Sequence, residues 1–180
     1  RQMCIRDSAK TVDRTTKVML KTPSCISRME RTGVVSTETA QALGAVGMAA
    51  RSSGVDIDTR FDFNDKWYTS LDVVKPFKAT GDVHSRFKLR YKEITQSMQI
   101  VKKLLEKLKE FSNEPILTNP NKTLAPNAFA ISMTEGWRGE IVHIALTGAN
   151  GELLRYKMKD PSFNNWYMLA MAVRNNGAVS

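Results

Sequence analysis

From residue 87 onward, Phe87, Tyr91, Ile94, Met98, Val101, Leu105 and Leu108 follow one another at spacings of four and three without interruption. That period is the signature of an amphipathic α-helix. Asp82, after Gly81, stands before it as an N-cap, Lys107 and Lys109 fall in its last turns, and Pro115 in "SNEP" closes it. The predicted helix over residues 82 to 111 is about 30 residues, or about 45 Å, long. Such a rod must cover its apolar stripe, as one member of a helix bundle or in a parallel coiled coil, and for a chain of this size a bundle is expected. Asp82, Arg86, Arg90 and Glu93 recur at four, four and three, which puts them on one face, where they are expected to brace the bundle. His84 in the first turn reads as a surface or cap histidine.

The other segments are shorter. "SCISRME" reads as one helix, and "STETAQALG" as another, with Ser36 as cap, Glu38 in the first turn and Gly44 as the stop. "GAVGMAARSSGVDIDTR" is rich in Gly, Ala and Ser and is read as a loop or a place where backbones pack closely. A loop of that length in a compact domain is more often functional or partner-bound than idle. Residues 112 to 130, with three prolines, read as a connector. "GEIVHIALT" and "ELLRYKMKD" flank "GANG" as a β-hairpin near residues 139 to 159, with His143 on its less apolar face. "SFNNWYMLAMAVRNN" reads as a last helix, capped by Ser162 after Pro161, with Phe163, Trp166, Leu169, Ala170 and Val173 on one side. The expected fold is therefore α+β and mainly α: a helix bundle around one long helix with a small β-hairpin unit.

Composition sets limits on function. The chain has 180 residues, 42% of them hydrophobic, about one domain's worth and enough for a real core. Its net charge of +9 suits a nucleic acid, an anionic membrane face or an acidic protein, but no run of five or six basic residues marks a polyanion-binding arm. The 2 cysteines, Cys4 and Cys25, form no Cys-x-x-Cys pair and sit near no histidine, so no metal site can be assembled from this chain, and a reducing compartment is expected. No apolar stretch is long enough to cross a bilayer, and "RQMCIRDSAK" lacks the apolar centre of a signal peptide and reads as an unstructured terminus. With no initiator Met and an end at "NNGAVS", the chain is read as a fragment.

One stretch stands apart. In "EGWRGEIVH" Arg138 lies between Trp137 and Gly139, two residues after Gly136. The glycines let the backbone pass close to something, and Trp137 offers an apolar anchor, so Arg138 is read as aimed. Its nearest sequence partners for a plain ion pair are Glu140 and, across the hairpin, Glu152.

"RTGVVS", "ARSSGVDIDTR", "GDVHSRFKLRYKEITQSMQI", "EGWRGEIVH", "GELLRYKMKDPSFNNW" and "LAMAVRNN", in this order, resemble blocks of the large subunit of membrane-bound nickel-iron hydrogenases of the formate-hydrogenlyase and energy-converting type. They are also similar to the related 49 kDa quinone-site subunit of respiratory complex I. The blocks cover about residues 28 to 176. "EGWRGE" and "DPSFNNW" lean toward the hydrogenase branch, because the complex I branch typically has an Arg-Ala-Pro-Ser-Phe form and no tryptophan before the arginine. Residues 1 to 10 are left as an unmatched tail, and 11 to 180 as the internal part of a single domain of this kind.

The resemblance implies roles residue by residue. Arg138 takes the place of the arginine that projects over the nickel-iron centre and helps handle the proton, with Glu135 and Glu140 expected to hold its side chain. Its guanidinium suits that place, being permanently charged and cheaper to desolvate than an ammonium. Ser162 would line the buried centre, with helix capping as the alternative. Arg51, Asp56, Asp58 and Arg60 would pack around the site and a neighbouring electron-transfer subunit, with internal ion pairing as the alternative. The family's hydrogenases hold nickel and iron through two Cys-x-x-Cys pairs, expected upstream and downstream of this segment, so the segment alone binds no metal and should be inactive.

The function implied is that of an oxidoreductase subunit in a membrane-associated complex, hydrogenase type, peripheral at the cytoplasmic face of the cell membrane, with an iron-sulfur small subunit as partner. A quinone-reducing, NADH dehydrogenase-like subunit without nickel-iron is the alternative, and a basic helical nucleic-acid-binding module a remote one.

Overall fold

The computed structural model describes residues 2–63, 68, 70, 71, 73–75, 80–111, 115, 117, 123–174 and 176. The chain is mainly helical with one antiparallel sheet, the α+β class expected. Its helices are α1 (Gln2–Lys21), α2 (Pro23–Met29), α3 (Thr37–Ala42), α4 (Gly47–Ser52), α5 (Thr59–Asp62), α6 (Val83–Lys107) and α7 (Ser162–Ala172). A 3₁₀ turn over Leu108–Phe111 ends α6. The strands are β1 (Phe129–Gly136), β2 (Gly139–Thr147) and β3 (Leu153–Lys159).

Asp82 caps α6, its carboxylate accepting from the Ser85 amide at 2.7 Å. The predicted apolar stripe is only partly covered: Val101 and Leu108 are exposed. The deepest positions of α6 are Ser85 and Leu89, which lie beside the Asp82, Arg86, Arg90 and Glu93 row rather than on the stripe. That face meets α4 and the hairpin, and α1 and α2 also pack on α6. His84 lies 3.5 Å from Glu30, the residue that follows α2. The foreseen end at residue 111 is where the 3₁₀ turn ends, and residues 112–114 lie outside the described residues.

Several expectations change. The first residues form α1: no Gly or Pro interrupts the chain before Pro23, and that was the available signal. Tyr91 of α6 donates its hydroxyl to Asp13 of α1. The small-residue stretch after Gly44 is not a loop throughout but contains α4 and α5, because alanines at 49 and 50 are good helix formers that also let neighbours approach. The core is accordingly built from small side chains: Val35, Ala40, Ala45, Ala50, Met168 and Ala172, with Leu43, Ala49, Val55 and Ile57 around them.

The sheet has three strands in the order β1-β2-β3, so the hairpin over 139 to 159 is joined by an outer strand that starts inside the supposed connector. Phe129 pairs with Leu146 at one end of β1–β2 and Gly136 with Gly139 at the other. Trp137 and Arg138 are thus the two-residue turn of a hairpin.

The last helix turns the opposite way from the reading of its apolar side. Phe163, Trp166, Leu169 and Val173 are exposed, while Met168 and Ala172 are buried. Both faces of this helix are apolar or small, so periodicity could not choose between them; the pair Asn164 and Asn165, which lies toward the core, decides. Ser162 is not the cap either: Asp160 accepts from the Ser162 amide at 2.8 Å and from its hydroxyl.

Candidate functional site

The centre of the molecule is a buried ionic network. Arg51, near the end of α4, is 2% exposed, and its side chain touches three carboxylates: Asp58 at 3.1 Å, Glu135 at 2.9 Å and Glu93. It also donates to the carbonyl of Ile57 at 3.0 Å. Arg60 grips Asp58 with two parallel bonds of 2.9 and 2.6 Å, and Asp58 additionally caps α5. Arg90 reaches Glu93 at 3.3 Å. Thr59 donates its hydroxyl to Glu135 at 2.6 Å. Three arginines therefore face three carboxylates contributed by α4, the turn before α5, α5, α6 and β1. Burial alone would push the Arg51 guanidinium down, but the bonds and charges of Glu93, Asp58 and Glu135 outweigh it and the net shift is upward. Arg51 is locked in its charged form.

This network fixes the hairpin tip. Glu135 holds the end of β1 from below. From the side, Arg90 donates to the Trp137 carbonyl at 2.9 Å and lays its guanidinium 3.6 Å above the Trp137 ring, a cation–π contact. From the third direction, Asn165 of α7 donates to the Arg138 carbonyl at 3.0 Å. Against the tip lies the start of α4, backbone to backbone. Gly47 has φ +64°, and a Cβ there would stand 2.2 Å from Gly139 Cα and 2.6 Å from the Arg138 carbonyl oxygen. Trp137 is 62% exposed, so its anchor is Arg90 rather than apolar burial as expected.

The sequence-derived site residues divide accordingly. Arg51, Asp58, Arg60 and Glu135 meet in one cluster with Glu93 and Arg90, and the internal pairing foreseen as the alternative is what the structure has. Neither Glu135 nor Glu140 holds Arg138: the first pairs with Arg51, and the second with Lys159 at 3.4 Å. The reason is strand geometry, since Glu135 and Glu140 stand opposite each other on one face while Arg138 occupies the turn between. Asp56 lies apart, exposed and paired with Lys75 at 3.1 Å. Asp82 accepts from the Arg31 amide at 3.1 Å, and Arg86 donates to the Gly81 and Gly33 carbonyls at 2.7 and 2.8 Å. Both therefore stitch α6 to the segment before α3. Ser162 stays with Asp160, whose carboxyl is held below the usual range by the Ser162 hydroxyl and amide and by the nearby Arg138 charge.

Arg138 itself is exposed, and among the described residues nothing hydrogen-bonds or pairs with its guanidinium. A braced turn thus carries a guanidinium without a hydrogen bond or ion pair among the described residues, its charge felt by Asp160 nearby. Asn165 and Thr59 were not foreseen; the only sequence hint for Asn165 is a polar pair inside an apolar helix. Beside the tip runs an open cleft of ≈ 690 Å³. Ile94, Met98, Val101 and Leu104 of α6 line its apolar side and Arg51, Arg90 and Glu135 its charged end. Among the described residues no group of three His, Cys, Asp or Glu is arranged to hold a metal, and the thiols of Cys4 and Cys25 are free on α1 and α2.

Comparison with known proteins gives the chain's family. The family model "Respiratory-chain NADH dehydrogenase, 49 Kd subunit" matches residues 2–129, and the chain belongs to that family. The match begins inside the ten residues that the sequence reading leaves unmatched. Formate hydrogenlyase subunit 5 of Escherichia coli (strain K12) is 30% identical over 159 residues, which is 88% of this chain and 27% of that relative. Membrane-bound hydrogenase subunit alpha of Pyrococcus furiosus is 32% identical, covering 88% of this chain and 40% of the relative. An NADH-quinone oxidoreductase subunit of Roseiflexus sp. (strain RS-1) is 30% identical, covering 78% and 39%. The chain thus spans well under half the length of these relatives. Among the described residues no helix is long and apolar enough to cross a membrane.

Proposed function

We propose that this chain is the part of a hydrogenase-type oxidoreductase subunit that presents Arg138 to the reacting centre. The subunit works in a membrane-associated complex, beside an iron-sulfur subunit that exchanges electrons with it, at the cytoplasmic face of the cell membrane. The observation that carries the reading is the three-sided bracing of the Trp137–Arg138 turn combined with a guanidinium left without a partner among the described residues. Structural arginines in this molecule are engaged by carboxylates: buried Arg51 meets Asp58, Glu93 and Glu135, and half-buried Arg60 meets Asp58. Arg138 is held by its backbone alone, which suits a group whose charge is meant for something else. A fixed cation of this kind stabilises developing negative charge without reorganising.

The residues present do not fit a nickel-iron group, because among the described residues a single thiol, Cys4, lines the cleft beside the network and no group of three His, Cys, Asp or Glu is arranged to hold a metal. In this reading its cysteine ligands come from other parts of the full-length subunit. Two of the relatives above carry hydrogenase or hydrogenlyase names, and the resemblance read from the sequence leans the same way at Trp137.

The second reading, a quinone-reducing subunit without nickel-iron, draws on the family description and on the cleft, whose apolar wall and charged end suit an amphipathic ligand. The two separate on the purified complex containing the full-length subunit. Stoichiometric nickel, together with hydrogen evolution that falls about 10²-fold or more in R138K, supports the first. A nickel-free complex that reduces a soluble quinone installs the second, and wild-type hydrogen evolution in R138K removes Arg138 from the site.

A further inference from the structure

Asn165 is the residue on which three separate parts of the chain converge. Its Oδ1 accepts from the Val46 amide at 3.1 Å, and its Nδ2 donates to the Val46 carbonyl at 3.3 Å and to the Arg138 carbonyl at 3.0 Å. One side-chain amide on α7 therefore clamps the residue before α4 and the hairpin tip against each other. The same junction is where Gly47 and Gly139 meet without room for a side chain. Its counterpart, Arg90, holds the preceding residue of the turn.

Resting on the reading of Arg138 above, we propose that Asn165 is a positioning residue: it sets where the Arg138 guanidinium stands by fixing the backbone from which that side chain springs. The chemistry supports an amide over any other group. The position must both donate to two carbonyls and accept from one N–H, and among side chains of this size only Asn offers both in one plane. Asp keeps the acceptor but turns a second oxygen toward two carbonyl oxygens. Ala leaves the Arg138 and Val46 carbonyls and the Val46 amide without their partner. The guanidinium lies several bonds beyond the tether, so a small rotation of the turn is magnified at the fork. Misplacements of about 1 Å at a reacting group are worth up to about 10²-fold in rate.

The test uses the full-length subunit in its complex, with N165A and N165D each made alone and in an R138K background. Hydrogen exchange should accelerate at the amides of residues 137–140 in both variants, while α3, which does not touch Asn165, keeps its protection. Hydrogen evolution should fall about 10-fold in N165A and at least as far in N165D when Arg138 is present, and less than about 2-fold when it is Lys. Unchanged exchange at the tip overturns the tether. Equal losses in both backgrounds show that Asn165 acts on stability or assembly and not through Arg138, and overturn the proposal. If R138K alone is neutral, it is the assignment of Arg138 that fails, while the exchange data still read the clamp.

Discussion

Arg51 is enclosed by Asp58, Glu93 and Glu135, so its removal strands one fully buried carboxylate, Asp58, and two that are mostly buried. R51M should cost about 3–5 kcal/mol in unfolding free energy, measured by urea denaturation, and R51K less, because Lys keeps the charge but loses the fork. A loss below about 1 kcal/mol would mean that the cluster is more hydrated than its burial indicates. Asp82 gives a pH signature. Burial alone would raise its carboxyl, but the amides of Ser85 and Arg31 and the Thr80 hydroxyl outweigh it and hold it below the ordinary range. A depressed folded value means stability that is complete above the unfolded value of about 3.9 and is lost as pH falls through the lower folded one. The urea midpoint of D82N should therefore decline less steeply than wild type below about pH 4, and an identical slope would refute the assignment. At this scale the sequence was legible in kind but not in pairing. Asp82 and Ser36 could be singled out by residue type and spacing and the Arg51 segment through the family resemblance, yet Glu135 was matched to Arg138 by proximity in the chain when its true partners, Arg51 and Thr59, come from distant segments.

Elements were legible where one face differs strongly from the other. The period of α6, the caps of α3 and α6 and the β2–β3 hairpin all follow from local pattern. Two elements did not, for physical reasons that differ. In α7 both faces are apolar, and what buries Met168 and Ala172 is the fit of small residues and asparagines against α3 and α4, a tertiary matter. Met168→Ala should cost about 2–5 kcal/mol, whereas Trp166→Ser should change stability by less than about 0.5 kcal/mol. The reverse order in thermal or urea unfolding would restore the face read from sequence. The β1 strand was hidden because its alternation starts among prolines and because Gly136, Trp137, Arg138 and Gly139 look like a loop entry when they are a hairpin turn.

On the scale of the whole molecule, large apolar side chains remain open on several elements: Phe163, Trp166 and Tyr167 on α7, Phe129 and Ile131 on β1, Tyr156 and Met158 on β3. Residues 1–180 expressed alone should self-associate and bind a hydrophobic dye, both suppressed in the full-length subunit; light scattering of a monodisperse 20.2 kDa species would contradict this. The contact of Gly47 with Gly139 bears on how such a protein varies. Neither position tolerates a methyl group: at 47 it would stand 2.2 Å from Gly139 Cα, and at 139, where φ is +137°, 2.9 Å from Val46 Cγ2 and 3.0 Å from Gly47 N. A saturation scan should find both nearly empty of accepted substitutions, and two positions that never change cannot covary. The junction that seats the arginine turn on α4 is thus silent to any method that infers proximity from correlated change, and only coordinates or a directed double substitution can reveal it.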